Sequence, residues 1–236
     1  MTAGLFCAGP ANAGPPYISD DPETTDYQHY EIYAYTDGTT TRGGTAGEAG
    51  IDFNYGATPD LQLTAVVPLG YQSPAGGGFT DGFGNVELAA KYRLLHQNDF
   101  GWDVSVFPRV FLPSDFNYGG ERHVSFFLPV WVEKDWGKWS TFGGGGCEID
   151  NSGGSQDFCQ MGWVLAREVF SGLQLGAEFV HQTANTKGGT ATTSIGACAV
   201  YDLNAHYHLM AYVGPGLQNA AENDQCSWYL AMQFTF

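Results

Sequence analysis

Charge in this chain is sparse and falls at alternate positions. Glu87, Lys91 and Arg93 share one parity within a short stretch, and Asp103 and Arg109 do so in the next. Residues an even number apart project from the same side of an extended strand. A face carrying both signs either satisfies itself as salt bridges in a narrow interior or lines a polar path whose field selects among solutes. Glu31, Asp52, His123, Glu133, Glu178 and His208 join this candidate lumen-lining set. Other chemistries are poorly represented. No Gly-x-Ser-x-Gly turn is present, and no serine, histidine and acid stand together as a constellation. His206-x-His208 places two imidazoles on one strand face, a spacing a metal could use, but beside a turn, where polar residues are common. Neither a metal site nor a cofactor is expected. The run Gly143 to Gly146 lacks the Lys-Ser/Thr pair and following helix of a phosphate loop. Those glycines instead allow a neighbouring side chain to pack against the strand, or a sharp bend.

The elements that carry these side chains read as strands. Only 14% of the 236 residues are charged, 15% are aromatic and 33 are glycine, where a soluble domain carries about a quarter charged residues. Mean hydropathy is nevertheless slightly negative, and no window nears the roughly 18 consecutive apolar residues of a membrane helix. Low charge without apolar runs is what strands with one face in lipid and one in water give. Leu61, Leu63, Ala65, Val67, Leu69 and Tyr71 alternate with Gln62, Thr64, Val66, Pro68 and Gly70. Val86, Leu88, Ala90, Tyr92 and Leu94 alternate with the charged set of that stretch, as Trp102, Val104, Val106, Pro108, Val110 and Leu112 do with theirs.

The pattern predicts strands near 28–36, 48–56, 61–71, 84–95, 101–112, 122–133, 138–148, 157–168, 172–183, 191–202, 206–215 and 225–236. Connections after the even-numbered strands are brief: Ala57–Asp60, the stretch around Gln97-Asn98-Asp99, Trp136-Gly137, Ser171 and Asn204-Ala205. Those after odd-numbered strands read as longer, for example Thr39–Gly47, Gln72–Phe83 and Asp150–Gln156. Short turns on one side and longer loops on the other are the habit of outer-membrane barrels, with the short side periplasmic. The expected fold is therefore all-β, a transmembrane antiparallel up-and-down β-barrel of about twelve strands. Phe100, Trp102, Trp136, Trp139, Phe170, Tyr201 and Tyr207 gather at the short-turn side, where an aromatic girdle would sit.

Three further features fit that plan. Residues 1–13 end in Ala11-Asn12-Ala13 and read as the remnant of a secretory signal. Residues 14–27 then form a periplasmic segment and 28–236 the barrel. Cys7 follows bulky Leu5 and Phe6, unlike a lipoprotein cysteine. Cys147 and Cys159 flank a glycine-rich loop and could close a hairpin in an oxidising compartment; five cysteines fit no zinc pattern. In the last strand Trp228, Leu230, Met232, Phe234 and Phe236 form one oily face. Phe236, with Phe234 and Trp228, resembles the signal that barrel assembly machinery reads.

Gly14-Pro15-Pro16-Tyr17 with Asp20-Asp21-Pro22-Glu23 and Tyr30-Glu31-Ile32-Tyr33 resembles the start of the family named for the MetA pathway of phenol degradation. Asp52-Phe53-Asn54-Tyr55-Gly56, Pro59 to Leu63, Gly84 to Leu88 with Lys91-Tyr92-Arg93, Gly162-Trp163, His181 to Ala184, and Gly216 to Asn219 extend the likeness over nearly the whole mature chain. The resemblance implies an outer-membrane barrel described as a transporter, with a link to aromatic compounds carried by the family's name.

The function expected is a channel for passive passage of small solutes, hydrophobic or aromatic ones among them, in the Gram-negative outer membrane. A barrel hydrolase, or a structural or adhesive barrel with a plugged lumen, are the alternatives; no catalytic residue is singled out. Outer-membrane lipid, lipopolysaccharide, the assembly machinery and a small solute are the expected partners. The net charge of −16 argues against nucleic acid and anionic headgroups, both of which attract basic surfaces.

Overall fold

The structure is a computed structural model that describes residues 15–113, 123–150 and 155–236. Its strands begin with β1 (Tyr30–Thr41), β2 (Gly44–Thr58) and β3 (Leu61–Pro74). Next come β4 in two pieces (Thr80–Phe83 and Val86–Leu95) and β5 likewise (Asp103–Val106 and Arg109–Leu112). β6 (Ser125–Trp136), β7 (Trp139–Ile149), β8 (Phe158–Phe170) and β9 (Leu173–Gln182) follow. β10 (Thr192–Asp202), β11 (Tyr207–Gly214 and Gly216–Gln218) and β12 (Cys226–Thr235) complete the set. Each strand pairs antiparallel with its sequence neighbours, and β12 pairs back onto β1 from Glu31↔Thr235 to Thr40↔Cys226. Twelve strands thus close into an up-and-down barrel. Closure removes the edges an open sheet would expose and lets the backbone pair within the wall, the condition for β-structure to cross a bilayer.

The three interruptions fall at Gly84-Asn85, Phe107-Pro108 and Pro215. Proline has no N–H for the ladder, yet the carbonyls of Pro108 and Pro215 still accept from Ala90 and Ile195 at 3.2 Å.

The turns confirm one half of the loop reading and correct the other. Strand pairs on the lower side are joined by Pro59-Asp60, Gly137-Lys138, Ser171-Gly172 and the short stretch after Asp202, with a single helical turn (α1, Gln97–Phe100) after β4. On the upper side the stretch Thr39–Gly47 is not a loop, because both strands run through it to a two-residue turn at Arg42-Gly43. Thr39, Thr40, Thr41 and Thr45 are β-branched and suit a pleated surface, and Thr40 and Thr45 share a hydroxyl hydrogen bond at 3.0 Å across the pair. Gln72–Phe83 likewise shrinks to the residues between Pro74 and Thr80. Of Asp150–Gln156, residues 151–154 lie outside the described residues, as do the signal remnant 1–13 and Cys7.

Alternation sorts the two faces as expected. Leu63, Val67, Leu88, Tyr92, Leu128, Val130, Leu165, Leu175, Phe179 and Leu230 are all exposed around the outside. Exposed apolar surface on this scale marks contact with another apolar phase. The seven aromatic residues expected as a lower girdle are exposed as well.

Candidate functional site

Inside the barrel the strands β4 and β5 deliver the cations. Lys91 is almost fully buried, at 4% exposure, and Glu133, Glu178 and Asp103 are buried in the interior as well. Arg93 Nε donates to Asp103 Oδ1 at 2.9 Å. Glu133 accepts from Ser140 Oγ at 2.7 Å, Asp52 accepts from Asn54 Nδ2 at 2.9 Å, and Glu31 accepts from Tyr33 Oη at 3.0 Å. Burial of so many carboxylates and cations requires such partners.

The partners of Lys91 and Arg109 come from outside the strands. The segment from Tyr17 to Thr25, expected on the periplasmic side of the barrel, runs inside it. Asp20 bridges both cations, Oδ1 lying 2.9 Å from Lys91 Nζ and Oδ2 lying 2.8 Å from Arg109 Nη2. Asp21 stands 3.7 Å from Lys91, and Glu87 stands 3.7 Å from Arg109. Across the lumen, Ile18 and Ser19 donate their backbone N–H groups to the two oxygens of Glu178 at 3.0 and 2.6 Å. Thr25 donates N–H and hydroxyl to Gln62 Oε1 at 2.8 and 3.1 Å. The segment is therefore tied to β3, to the β4–β5 cations and to β9. Asp20 and Asp21 were the functional residues that parity could not find, since they belong to no strand; the signal was an acidic pair in a chain with few cations.

Aromatic rings complete the interior. Tyr17 packs edge-on to Phe142, centroids 5.0 Å apart at 86°, within a cluster of Val164, Ala166, Cys198 and Tyr212. Two glycines make the seat: a Cβ at Gly176 would run into Tyr17 Oη, and one at Gly162 into Ser19 Oγ. Phe107, Phe127 and Trp131 form a second buried cluster, and Phe107 lies under both cations, 4.2 Å from Arg109 Cζ and 5.0 Å from Lys91 Nζ. The strand pattern led to an inward face that is polar or small; these rings make it aromatic as well, because the lumen is narrow enough for side chains from facing walls to pack. A cavity of about 140 Å³ lies between the segment and the β1–β5 wall. A second, of about 330 Å³, opens above it and shares Val66 and Glu87 with the first.

The candidate histidines differ in burial. His123 is exposed, two residues before β6 begins at Ser125. His208 is buried but faces Asp202, Nδ1 to Oδ1 2.7 Å, while His206 bonds the Thr235 carbonyl at 2.9 Å, so the two imidazoles do not converge. Cys147 and Cys159 are directly paired across β7 and β8 and joined by a disulfide. Phe236 is exposed and exchanges two backbone hydrogen bonds with Tyr30, at 2.9 and 3.0 Å, which seals the lower end of the β12–β1 seam. Phe234 and Trp228 share its outward parity.

The sequence matches no protein-family model and no curated protein. Solved structures resemble it. The COG4313 outer membrane channel from Pseudomonas putida F1 aligns over 95% of this chain and all of its own, with a TM-score of 0.71 at 19% identity. The NanC porin aligns over 87% of this chain and 98% of its own, at a TM-score of 0.60 and 8% identity. The KdgM porin, solved with disordered oligogalacturonate, gives 0.57 at 7% identity over 88% of this chain and 99% of its own. The fold is that of outer-membrane channel barrels. At these identities the likeness is one of fold, and the residues that fill this lumen are argued from the chain itself.

Proposed function

We propose that this protein is an outer-membrane channel through which small solutes pass passively, with hydrophobic or aromatic compounds the favoured class. The observation that carries the reading is the interior: a closed barrel lined by charges of both signs and by aromatic rings, with neighbouring cavities beside a segment held by discrete contacts. Channels and porins among the structural neighbours support it. The aromatic preference is supported by the Tyr17 seat, where a phenol ring already rests against Phe142, and by the resemblance of short sequence motifs to the phenol-degradation family. In this reading the Tyr17–Thr25 segment is the element that yields when a solute passes.

Liposome swelling across sugars, amino acids and phenolics of similar size tests both parts. Swelling in all classes, fastest with phenolics, is the expected result. Equal rates in every class would remove the aromatic preference, and absence of swelling with a folded barrel would remove the channel.

A further inference from the structure

Strand parity sends almost every charge in the wall inward. Among the described strand residues three charged side chains have outward parity: Asp81, close to an upper turn, and Lys134 and Arg167, on β6 and β8 near the lower turns. Neither cation has a carboxylate at ion-pair distance among the described residues. The nearest acid in sequence to Arg167, Glu168, goes to Lys138 at 3.8 Å, and Asp135, beside Lys134, has inward parity.

Each cation instead lies over an indole. Lys134 Nζ is 5.1 Å from the Trp102 ring centroid, and Arg167 Cζ is 5.0 Å from that of Trp139. Trp139 stands opposite Trp136 on one side and Arg167 on the other in the ladder. The two cations sit two strands apart and two residues out of register, about 12 Å between their backbones, with Trp139 on the strand between. Three of the chain's 6 tryptophans and, with Lys138 in its pair with Glu168, three of its 9 Lys and Arg residues therefore fall on one third of the lower rim. Net charge predicts repulsion of anionic headgroups, but a net charge is a sum over the chain and says nothing of a local inversion.

A cation on a lipid-facing wall is costly unless an anionic group meets it, and indole rings rest at headgroup depth. We propose that Lys134 and Arg167, with Trp102, Trp136 and Trp139, form a docking surface for a phospholipid of net negative headgroup, the phosphatidylglycerol class. The phosphate lies between the two cations and the glycerol rests against the indoles. The surface rests on the outer-membrane reading and adds a resident lipid of the periplasmic leaflet. A zwitterionic headgroup brings its own cation to the site and is held less well.

Native mass spectrometry of the full chain tests this, with phosphatidylglycerol, phosphatidylcholine of the same acyl chains, and lipid A as probes. Folded barrel is first verified in every sample by heat-modifiable migration. The wild type is expected to retain phosphatidylglycerol at least five-fold over phosphatidylcholine. Lys134→Gln with Arg167→Gln abolishes the preference, Lys134→Gln alone reduces it, and Arg42→Gln, at an exposed pair with Glu222 on the upper rim, leaves it intact. The proposal is overturned by a wild type without that preference, by a double variant that keeps it, by equal loss in Arg42→Gln, or by stronger retention of lipid A than of phosphatidylglycerol.

Discussion

Replacing Tyr17 by alanine should loosen the segment that occupies the lumen. The side chain is 8% exposed and packs edge-on to Phe142 over the bare backbone of Gly176. Truncating a buried aromatic side chain costs about 3–5 kcal/mol, because the seat cannot collapse fully. The contacts of Ser19 with Glu178, Asp20 with Lys91 and Arg109, and Thr25 with Gln62 remain, so the lower figure applies. At about 1.4 kcal/mol per tenfold, a loss of about 3 kcal/mol shifts the balance between seated and released segment by about 100-fold. Among the described residues Tyr17 Oη has no hydrogen-bond partner, so Tyr17→Phe keeps the ring in place and shifts the balance little. Single-channel recording in planar bilayers reads the shift as the fraction of time in the larger conductance state. A Tyr17→Ala channel as closed as the wild type, or a Tyr17→Phe channel as open as Tyr17→Ala, would refute the seating argument.

Arg109→Gln removes the cation that faces Asp20 and Glu87, so reversal potentials in a salt gradient should move toward cation selectivity; no movement in a conducting variant would put Arg109 off the path. Cys147→Ser with Cys159→Ser opens a link across 12 residues, for which loop entropy sets a ceiling of about 3 kcal/mol. The denaturation midpoint should fall to that of the reduced wild type, and coincident midpoints for oxidised and reduced protein would contradict a stabilising role. Phe236→Asp should lower the yield of heat-modifiable barrel in membranes far more than Thr235→Asp, since a lipid-face aspartate near the interface is itself cheap and failed recognition supplies most of the loss; equal yields would sink the assembly role.

The wall of this barrel was legible because its signal is local. A period of two, repeated from Leu61 to Tyr71 and again from Val86 to Leu94, determines which residues face out, and brief turns such as Pro59-Asp60 mark the ends. Upper strand ends were less legible: glycine, threonine and serine between Thr39 and Gly47 look like loop but pair as strand once the neighbouring strand is beside them. The lumen was half legible. Parity found Lys91, Arg109 and Glu178, yet the groups that satisfy them, Asp20 and the Ile18 and Ser19 amides, come from a segment with no period at all. Its contacts reach 159 residues along the chain in the case of Ser19 and Glu178, a separation no spacing rule reads.

Conductance of the intact chain beside a variant lacking residues 15–26 tests the proposed channel most directly, with folded barrel verified in both. A larger unitary conductance in the shortened protein, together with faster passage of small solutes, is the expected result, since the lumen then keeps its charges and rings but loses the segment between them. A folded barrel that stays non-conducting without that segment would contradict a passage through this lumen.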